Sequence, residues 1–309
     1  MDLSPDPPVV PTYASGITGG RVSVAVCSDT TNYLPRDVVE RNHIHEVSLY
    51  VSLDGRQQRE AEILEDTDRF YDALRATQGA ATTSQPAVGD FAGVWRPLLD
   101  AGDDIISIHL SSGISGTYGS AVAARELLVD EGVDQARIEV VDSRRACGGL
   151  GLIVLAAAVA ARAGADLASV RERVADARDG LKMWFAVDTL EYLRRGGRIG
   201  GAQAWLGSAL KIKPILTLDG EITPIERVRT SQRAFSRMSE FLDELHDAGR
   251  DGWVVQHIQA PDAAERLVER GRTLFGSEPA FVSEVGPVIG AHVGPGLLGV
   301  GAVPMDLLR

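Results

Sequence analysis

The segment Ser111-Ser112-Gly113-Ile114-Ser115-Gly116-Thr117-Tyr118-Gly119-Ser120 holds the chain's densest set of groups able to bind an anion. An apolar run over 105–110 precedes it and reads as a buried strand; 121–129 follows and reads as a helix. A strand that feeds a Gly/Ser/Thr turn and then a helix N-terminus aims free backbone N–H groups and the positive end of the helix dipole at one point. The hydroxyls of Ser115 and Thr117 add donors. No Lys follows the glycines, so the turn is not the phosphate loop of nucleotide hydrolases.

Other groups could serve the same anion. Thr82-Thr83-Ser84-Gln85-Pro86 sets three hydroxyls before a proline. They can cap the helix expected from Val88, or they can donate to the anion at Ser115. Arg194-Arg195-Gly196-Gly197-Arg198 reads either as a solvated helix C-terminus or as a phosphate, carboxylate or partner contact. Gly286-Pro287-Val288-Ile289-Gly290-Ala291-His292-Val293-Gly294-Pro295-Gly296 reads as a rigid loop that holds one histidine. Ser28-Asp29-Thr30-Thr31 and Asp142-Ser143 follow expected strands and read first as caps. His109 lies in an apolar strand and reads as core, and His43 and His45 carry no partner signal. No His/Cys/Asp/Glu cluster has metal-ligand spacing. A second chemistry stays open: Ser115 as the nucleophile of a serine hydrolase or acyl transferase, with His292 as its base. Against it, the Gly-x-Ser-x-Gly elbow is incomplete, because position 117 is Thr.

The elements that position these groups alternate in the first half. Strands are expected over 21–27, 44–53, 105–110 and 137–141, and helices over 34–41, 66–77, 88–99, 121–131 and 147–163. That alternation implies a parallel sheet covered by helices. After about residue 165 the pattern becomes α+β. Helices are expected over 167–178, 190–195, 202–210, 233–248 and 263–275, and strands over 182–187, 252–257, 281–284 and 298–303. A hairpin over 212–228 turns at Asp219-Gly220.

Composition narrows the function. The chain has 309 residues, 31 Lys plus Arg against 43 Asp plus Glu, and a net charge of -12. That balance speaks against nucleic-acid binding and against stable docking on anionic lipid, and leaves brief membrane contact through a local basic patch. Cys27 and Cys147 read as buried small hydrophobes rather than a disulfide, which suits a reducing cytoplasm. Residues 1–20 are rich in acid and proline and read as a disordered tail, not a signal peptide. The longest uncharged run, 146–161, is shorter than the roughly 18–20 residues that span a bilayer, and reads as a buried helix.

Taken in order, the motifs resemble the DegV family of bacterial fatty-acid-binding proteins. The matching segments are Ser28-Asp29-Thr30-Thr31, Thr83-Ser84-Gln85-Pro86, Ile106-Ser107-Ile108-His109-Leu110-Ser111-Ser112, Ser115-Gly116-Thr117-Tyr118 and Asp142-Ser143. They continue with Val187-Asp188-Thr189-Leu190-Glu191-Tyr192-Leu193, Arg195-Gly196-Gly197-Arg198-Ile199, Ile212-Lys213-Pro214-Ile215-Leu216 and Gly286-Pro287-Val288-Ile289-Gly290, followed by His292 and Gly294-Pro295-Gly296. Each motif is weak alone; the ordered series is specific. The family usually has Thr-Asp-Ser where this chain has Ser28-Asp29-Thr30, and a small residue is common at the second position of Arg144-Arg145.

The resemblance implies an α/β fold. A parallel-sheet, Rossmann-like N-terminal domain (21–163) binds a carboxylate, and a C-terminal α+β domain (164–309) encloses an acyl tunnel. It implies a carrier with no chemistry or cofactor of its own, whose ligand is a long-chain fatty acid. Thr83 and Ser115 would hold the carboxylate, with Ser84, Gly116, Thr117 and His292 beside them. A separate ATP-dependent fatty-acid kinase would be the partner, and the acyl phosphate would pass to phospholipid synthesis. Arg194, Arg195 and Arg198 would meet the kinase or the new phosphate.

Overall fold

The computed structural model describes residues 23–76, 81–206 and 212–309. The tail expected over 1–20 lies outside them, as does the end of the helix expected over 202–210, whose described part is a 3-10 turn, Gly200–Trp205. The first half runs β1 (Val24–Asp29), α1 (Arg36–Arg41), β2 (His45–Val47), β3 (Tyr50–Leu53), β4 (Arg56–Arg59), α2 (Thr67–Ala76), β5 (Thr82–Ser84), α3 (Val88–Asp100), β6 (Asp104–His109), α4 (Thr117–Asp130), β7 (Ile138–Asp142) and α5 (Cys147–Arg162). Parallel pairing in the order β2-β1-β6-β7 makes the expected sheet, with β6 in its interior. The Ser/Gly/Thr turn leaves its C-terminal edge, where ligands of such sheets sit.

The strand expected over 44–53 is two strands. The Leu49 carbonyl accepts from Glu60 N–H at 2.9 Å, and the Ser48 hydroxyl accepts from Ala61 N–H at 3.1 Å, so the backbone leaves the parallel sheet at that point. β3 then joins a small antiparallel sheet ordered β4-β3-β5. Asp54 and Gly55 make its turn with φ of 51° and 77°, the left-handed pair that a tight hairpin needs. β5 was not anticipated: Thr83 pairs with Val51. Its hydroxyls do not cap α3, because the N-cap position falls on Ala87, beyond β5; the Asp90 carboxylate accepts from Ala87 N–H at 2.8 Å. α4 begins at Thr117, earlier than the periodicity suggested.

The second half runs α6 (Leu167–Gly180), β8 (Lys182–Ala186), α7 (Glu191–Arg195), β9 (Lys213–Asp219), β10 (Glu221–Val228), α8 (Ser231–Asp247), β11 (Gly252–His257), α9 (Pro261–Phe275), β12 (Phe281–Glu284), α10 (Pro287–Val293) and β13 (Leu298–Val303). The strands form one mixed sheet, β10-β9-β8-β13-β11-β12. The segment expected as a glycine-rich loop over 286–296 contains α10. Pro287 suits its first turn, and Gly294, at φ 74°, ends it.

The uncharged helix α5 packs on β1 and β6 of the parallel sheet and on β11 and β13 of the mixed sheet. Almost every residue from Gly148 to Ala160 is buried. A helix apolar all round needs cover on all sides, and the two sheets supply it. At Gly151 an added Cβ would lie 2.8 Å from Phe281 and 2.9 Å from the Asn32 carbonyl, so glycine admits both neighbours. One apolar core runs from Val26 and Ile106 through α5 to Val254 and Val303.

Candidate ligand-binding site

The turn after β6 differs from the expected amide cradle. Ser112 N–H donates to Asp142, Gly113 N–H to the Ser111 hydroxyl, and the N–H groups of Ile114 and Ser115 to the Ser111 carbonyl. Those backbone donors are therefore spent on protein acceptors. A further donor of the turn is the Ser115 hydroxyl. It accepts from Thr117 N–H at 3.3 Å and lies 2.9 Å from the Thr117 hydroxyl. When Thr117 donates, the Ser115 proton is free for a ligand. Thr117 is fully buried and stands behind Ser115. Gly116 lies against the exposed Gln85 side chain, whose Nε2 would be 2.8 Å from a Cβ at this position.

Facing Ser115 are β5 and α10. Thr83 Oγ1 and His292 Nε2 are 2.8 Å apart. His292 Nδ1 is buried without a partner among the described residues. An Nε2–H that donates to Thr83 leaves only a lone pair at Nδ1, cheaper to bury unpaired than an N–H. The Thr83 proton is then also free. Burial, with the nearby Arg198 charge, pushes the His292 pKa down to about 4, so the ring is neutral at pH 7. The Gly196-Gly197 pair has a role here: a Cβ on Gly196 would fall 2.2 Å from His292 Nδ1, and Gly197 has φ 70°.

The N-terminus of α10 is fastened by a residue that sequence reading missed. The buried carboxylate of Glu60 accepts from Val288 N–H at 2.8 Å, the Tyr33 hydroxyl at 2.7 Å and the Thr30 hydroxyl at 2.5 Å. The Tyr33 oxygen in turn accepts from Ile289 N–H at 3.2 Å. Burial raises Glu60 to about 7. In sequence this residue is one acid of a charged stretch, and nothing local marks it.

The three arginines diverge. Arg194 and Arg195 turn outward to Glu191, at 2.6 and 2.7 Å, and hold its carboxyl down to about 2. Arg198 turns inward, donating to the carbonyls of Ile114 at 3.2 Å and Gly196 at 2.7 Å. Thr83, Ser84, Gln85, Ser115, Arg198 and His292 all line one cavity of about 910 Å³ of atom-free space, its mouth included. The Ser84 hydroxyl also accepts from Gln57 at 3.1 Å. Most of the remaining lining is apolar, Leu110, Ile114, Phe185 and Ile289 among it. Gly116, Thr117, Arg194 and Arg195 are not part of the lining.

The family model described as "Uncharacterised protein, DegV family" matches residues 23–305. The chain belongs to the DegV family. A DegV domain-containing protein of Streptomyces coelicolor is 42% identical over 281 residues, covering 90% of this chain and 97% of the relative. The crystal structure of DegV from Bacillus subtilis, described as a fatty acid binding protein, superposes with a TM-score of 0.81 at 35% identity, covering 91% of this chain and 99% of that one. A DegV family protein from Thermus thermophilus, described by its fatty acid binding, gives 0.79 at 33% identity, covering 92% and 100%.

Two further arrangements bear on what this DegV chain can catalyse. Ser107, His109 and Asp29 form a hydroxyl–imidazole–carboxylate chain at 2.8 and 3.1 Å, but all three are completely buried. Asp29 also accepts from Leu110 N–H at 3.0 Å, so the chain pins the ends of β1 and β6 below the turn. At Ser115 the hydroxyl is bonded to Thr117, and Nε2 of His292 is engaged by Thr83. Cys27 and Cys147 are free thiols, and Cys147 lines the cavity. No group of three or more metal-type side chains exists among the described residues, nor any helix long and apolar enough to cross a membrane.

Proposed function

We propose that this protein binds a long-chain fatty acid, with its carboxylate at Thr83 and Ser115 and its tail along the apolar part of the cavity. The observation that carries this reading is the cavity's polarity: its free hydroxyl donors gather beside a neutral histidine while most of the remaining wall is apolar. The division of labour falls near residues 160–166. Residues 21–163 supply Thr83 and Ser115; residues 164–309 supply His292, Arg198 and much of the tail's enclosure.

A charge-assisted hydrogen bond contributes about 1.5–3 kcal/mol, so two hydroxyls orient the head without binding tightly alone. The tail supplies affinity: about 14 methylenes at roughly 0.8 kcal/mol each give on the order of 11 kcal/mol before ordering costs. A head held by neutral hydroxyls keeps a nucleophilic oxygen. On this reading the protein is a cytoplasmic carrier that offers the carboxylate to a separate ATP-dependent kinase and passes the acyl phosphate to phospholipid synthesis, with transient membrane contact. Arg198 would meet the new phosphate, and Arg194 and Arg195 the kinase.

Native mass spectrometry of the purified protein tests the binding step, with a bound long-chain acid as the expected result. An empty protein that takes up neither palmitate nor oleate overturns it. For the kinase step, R198A should slow phosphorylation of bound acid; an unchanged rate removes Arg198 from that role.

A further inference from the structure

Three facing residues on the mixed sheet form a continuous row along one wall of the cavity. Gln256 on β11 is in register with Gly299 on β13, and Gly299 with Phe185 on β8. All three line the cavity, and Gly299 is the one glycine among the described lining residues. The two flanks are fixed differently. Gln256 is buried, its amide oxygen accepting from Gly148 N–H and its nitrogen donating to the Ser283 hydroxyl at 2.8 Å. Phe185 is held in the sheet between β13 and β9.

Gly299 also differs from the glycines around it. A Cβ on Gly148 would meet Gln256 Oε1 at 2.8 Å, and one on Gly301 would meet Met183 at 3.0 Å; both are closed by protein. At Gly299 the nearest atoms are 3.7 Å away, an ordinary contact, and φ is not left-handed. The backbone there does not demand glycine, and no neighbouring side chain fills the space above it. The space belongs to the cavity.

We infer that Gly299, between the locked Gln256 amide and the Phe185 ring, is the floor of the slot that receives the far part of the acyl tail, and that it sets the longest tail the protein accepts. The inference rests on the fatty-acid reading above. The head donors come from β5, the turn after β6 and α10, whereas this row lies on three interior strands of the other sheet. A side chain at position 299 therefore removes room from the tail and leaves the head contacts intact.

The test uses the full chain, stripped of lipid, in G299A, G299V and T83A forms, with dodecanoate, hexadecanoate and octadecanoate measured by calorimetry and thermal unfolding as the folding control. Wild type should bind the two longer acids. G299V should weaken octadecanoate roughly tenfold or more, equivalent to about two methylenes denied burial, while dodecanoate stays within about twofold. G299A should shift the same way by a smaller factor, which keeps the test valid if the valine form folds poorly. T83A should weaken all three acids by a common factor. If G299A and G299V keep the wild-type order and ratios, or weaken all three acids alike, the assignment of Gly299 is wrong while the fatty-acid reading stands. If wild type binds none of the three, that reading fails and this inference falls with it.

Discussion

The His292 imidazole lies 2.8 Å from the Thr83 hydroxyl across 209 positions of sequence. The pair joins the small antiparallel sheet to α10 and leaves one hydroxyl proton to be claimed by a ligand. It is the contact on which the polar end of the cavity is built.

Removing either hydroxyl should weaken the head without closing the cavity. T83A and S115A are each expected to lower fatty-acid affinity by roughly 10- to 100-fold, the loss of one charge-assisted hydrogen bond. Calorimetry with palmitate measures it. T83A should have the larger effect, because it also leaves His292 Nε2 without a partner. An affinity that stays at the wild-type value in both variants contradicts the head-group assignment.

Gly196 and Gly197 should fail in different ways. In G196A the new methyl would sit 2.2 Å from His292 Nδ1, so the ring must move and ligand affinity should fall toward that of T83A. In G197A the cost is conformational, about 1–2 kcal/mol at a φ of 70°, with affinity near wild type when the protein is folded. Binding and thermal unfolding measured on both variants separate the two effects.

The response to pH combines two opposed groups. His292 titrates at about 4 in the fold against an ordinary 6.5. As pH falls the unfolded chain takes up this proton first, so stability is lost between about 6.5 and 4. Glu60 titrates at about 7 against 4.5. There the folded state keeps a proton that the unfolded chain releases, so stability is lost as pH rises from about 4.5 to 7. Between 4.5 and 6.5 the slopes oppose each other. E60Q should unmask the loss on acidification, and H292Q the loss toward neutrality. Tm measured across this range in all three proteins gives the answer, and superimposable profiles would refute the pairing.

The hairpin tip at Asp219-Gly220 should act as a clasp on the turn. The Ser111 hydroxyl donates to the Gly220 carbonyl at 2.7 Å, Gly220 N–H donates to the Arg144 carbonyl at 2.8 Å, and Asp219 pairs with Arg144 at 2.9 Å and the nearly buried Arg145 at 2.8 Å. D219A leaves Arg145 with the Leu218 carbonyl at 2.7 Å but no counter-charge, at a cost of about 1–2 kcal/mol after allowing for the half-exposed carboxylate. Lower Tm and faster fatty-acid release are expected. A variant with unchanged Tm would show that the Leu218 carbonyl alone satisfies Arg145.

Local chemistry made the strand, turn and helix around Ser115 readable, because apolar β-branched residues, glycines and hydroxyls each carry a conformational preference. The Asp54-Gly55 and Asp219-Gly220 turns were readable for the same reason. Long-range partners were not. In sequence the turn amides look free, yet Asp142 and Ser111 occupy those of Ser112 to Ser115. Thr83 carried two open uses, and only the placing of the α3 N-cap at Ala87 decided against one. The three arginines look alike around their glycine pair; Glu191 draws two outward, and the carbonyls of Ile114 and Gly196 hold the third inward. Glu60 and Gln256 gave no signal, since what makes each notable is a backbone N–H far along the chain. His292 was placed in a loop because glycine and proline surround it, although both residues also suit the ends of a short helix.

A helix greasy on every side leaves the molecule without a seam. Parting the two sheets would wet Leu150, Ile153 and Val154, each at roughly 1.5–3 kcal/mol, before any ligand moved. On the fatty-acid reading, passage of a guest between the sheets would carry that cost in full.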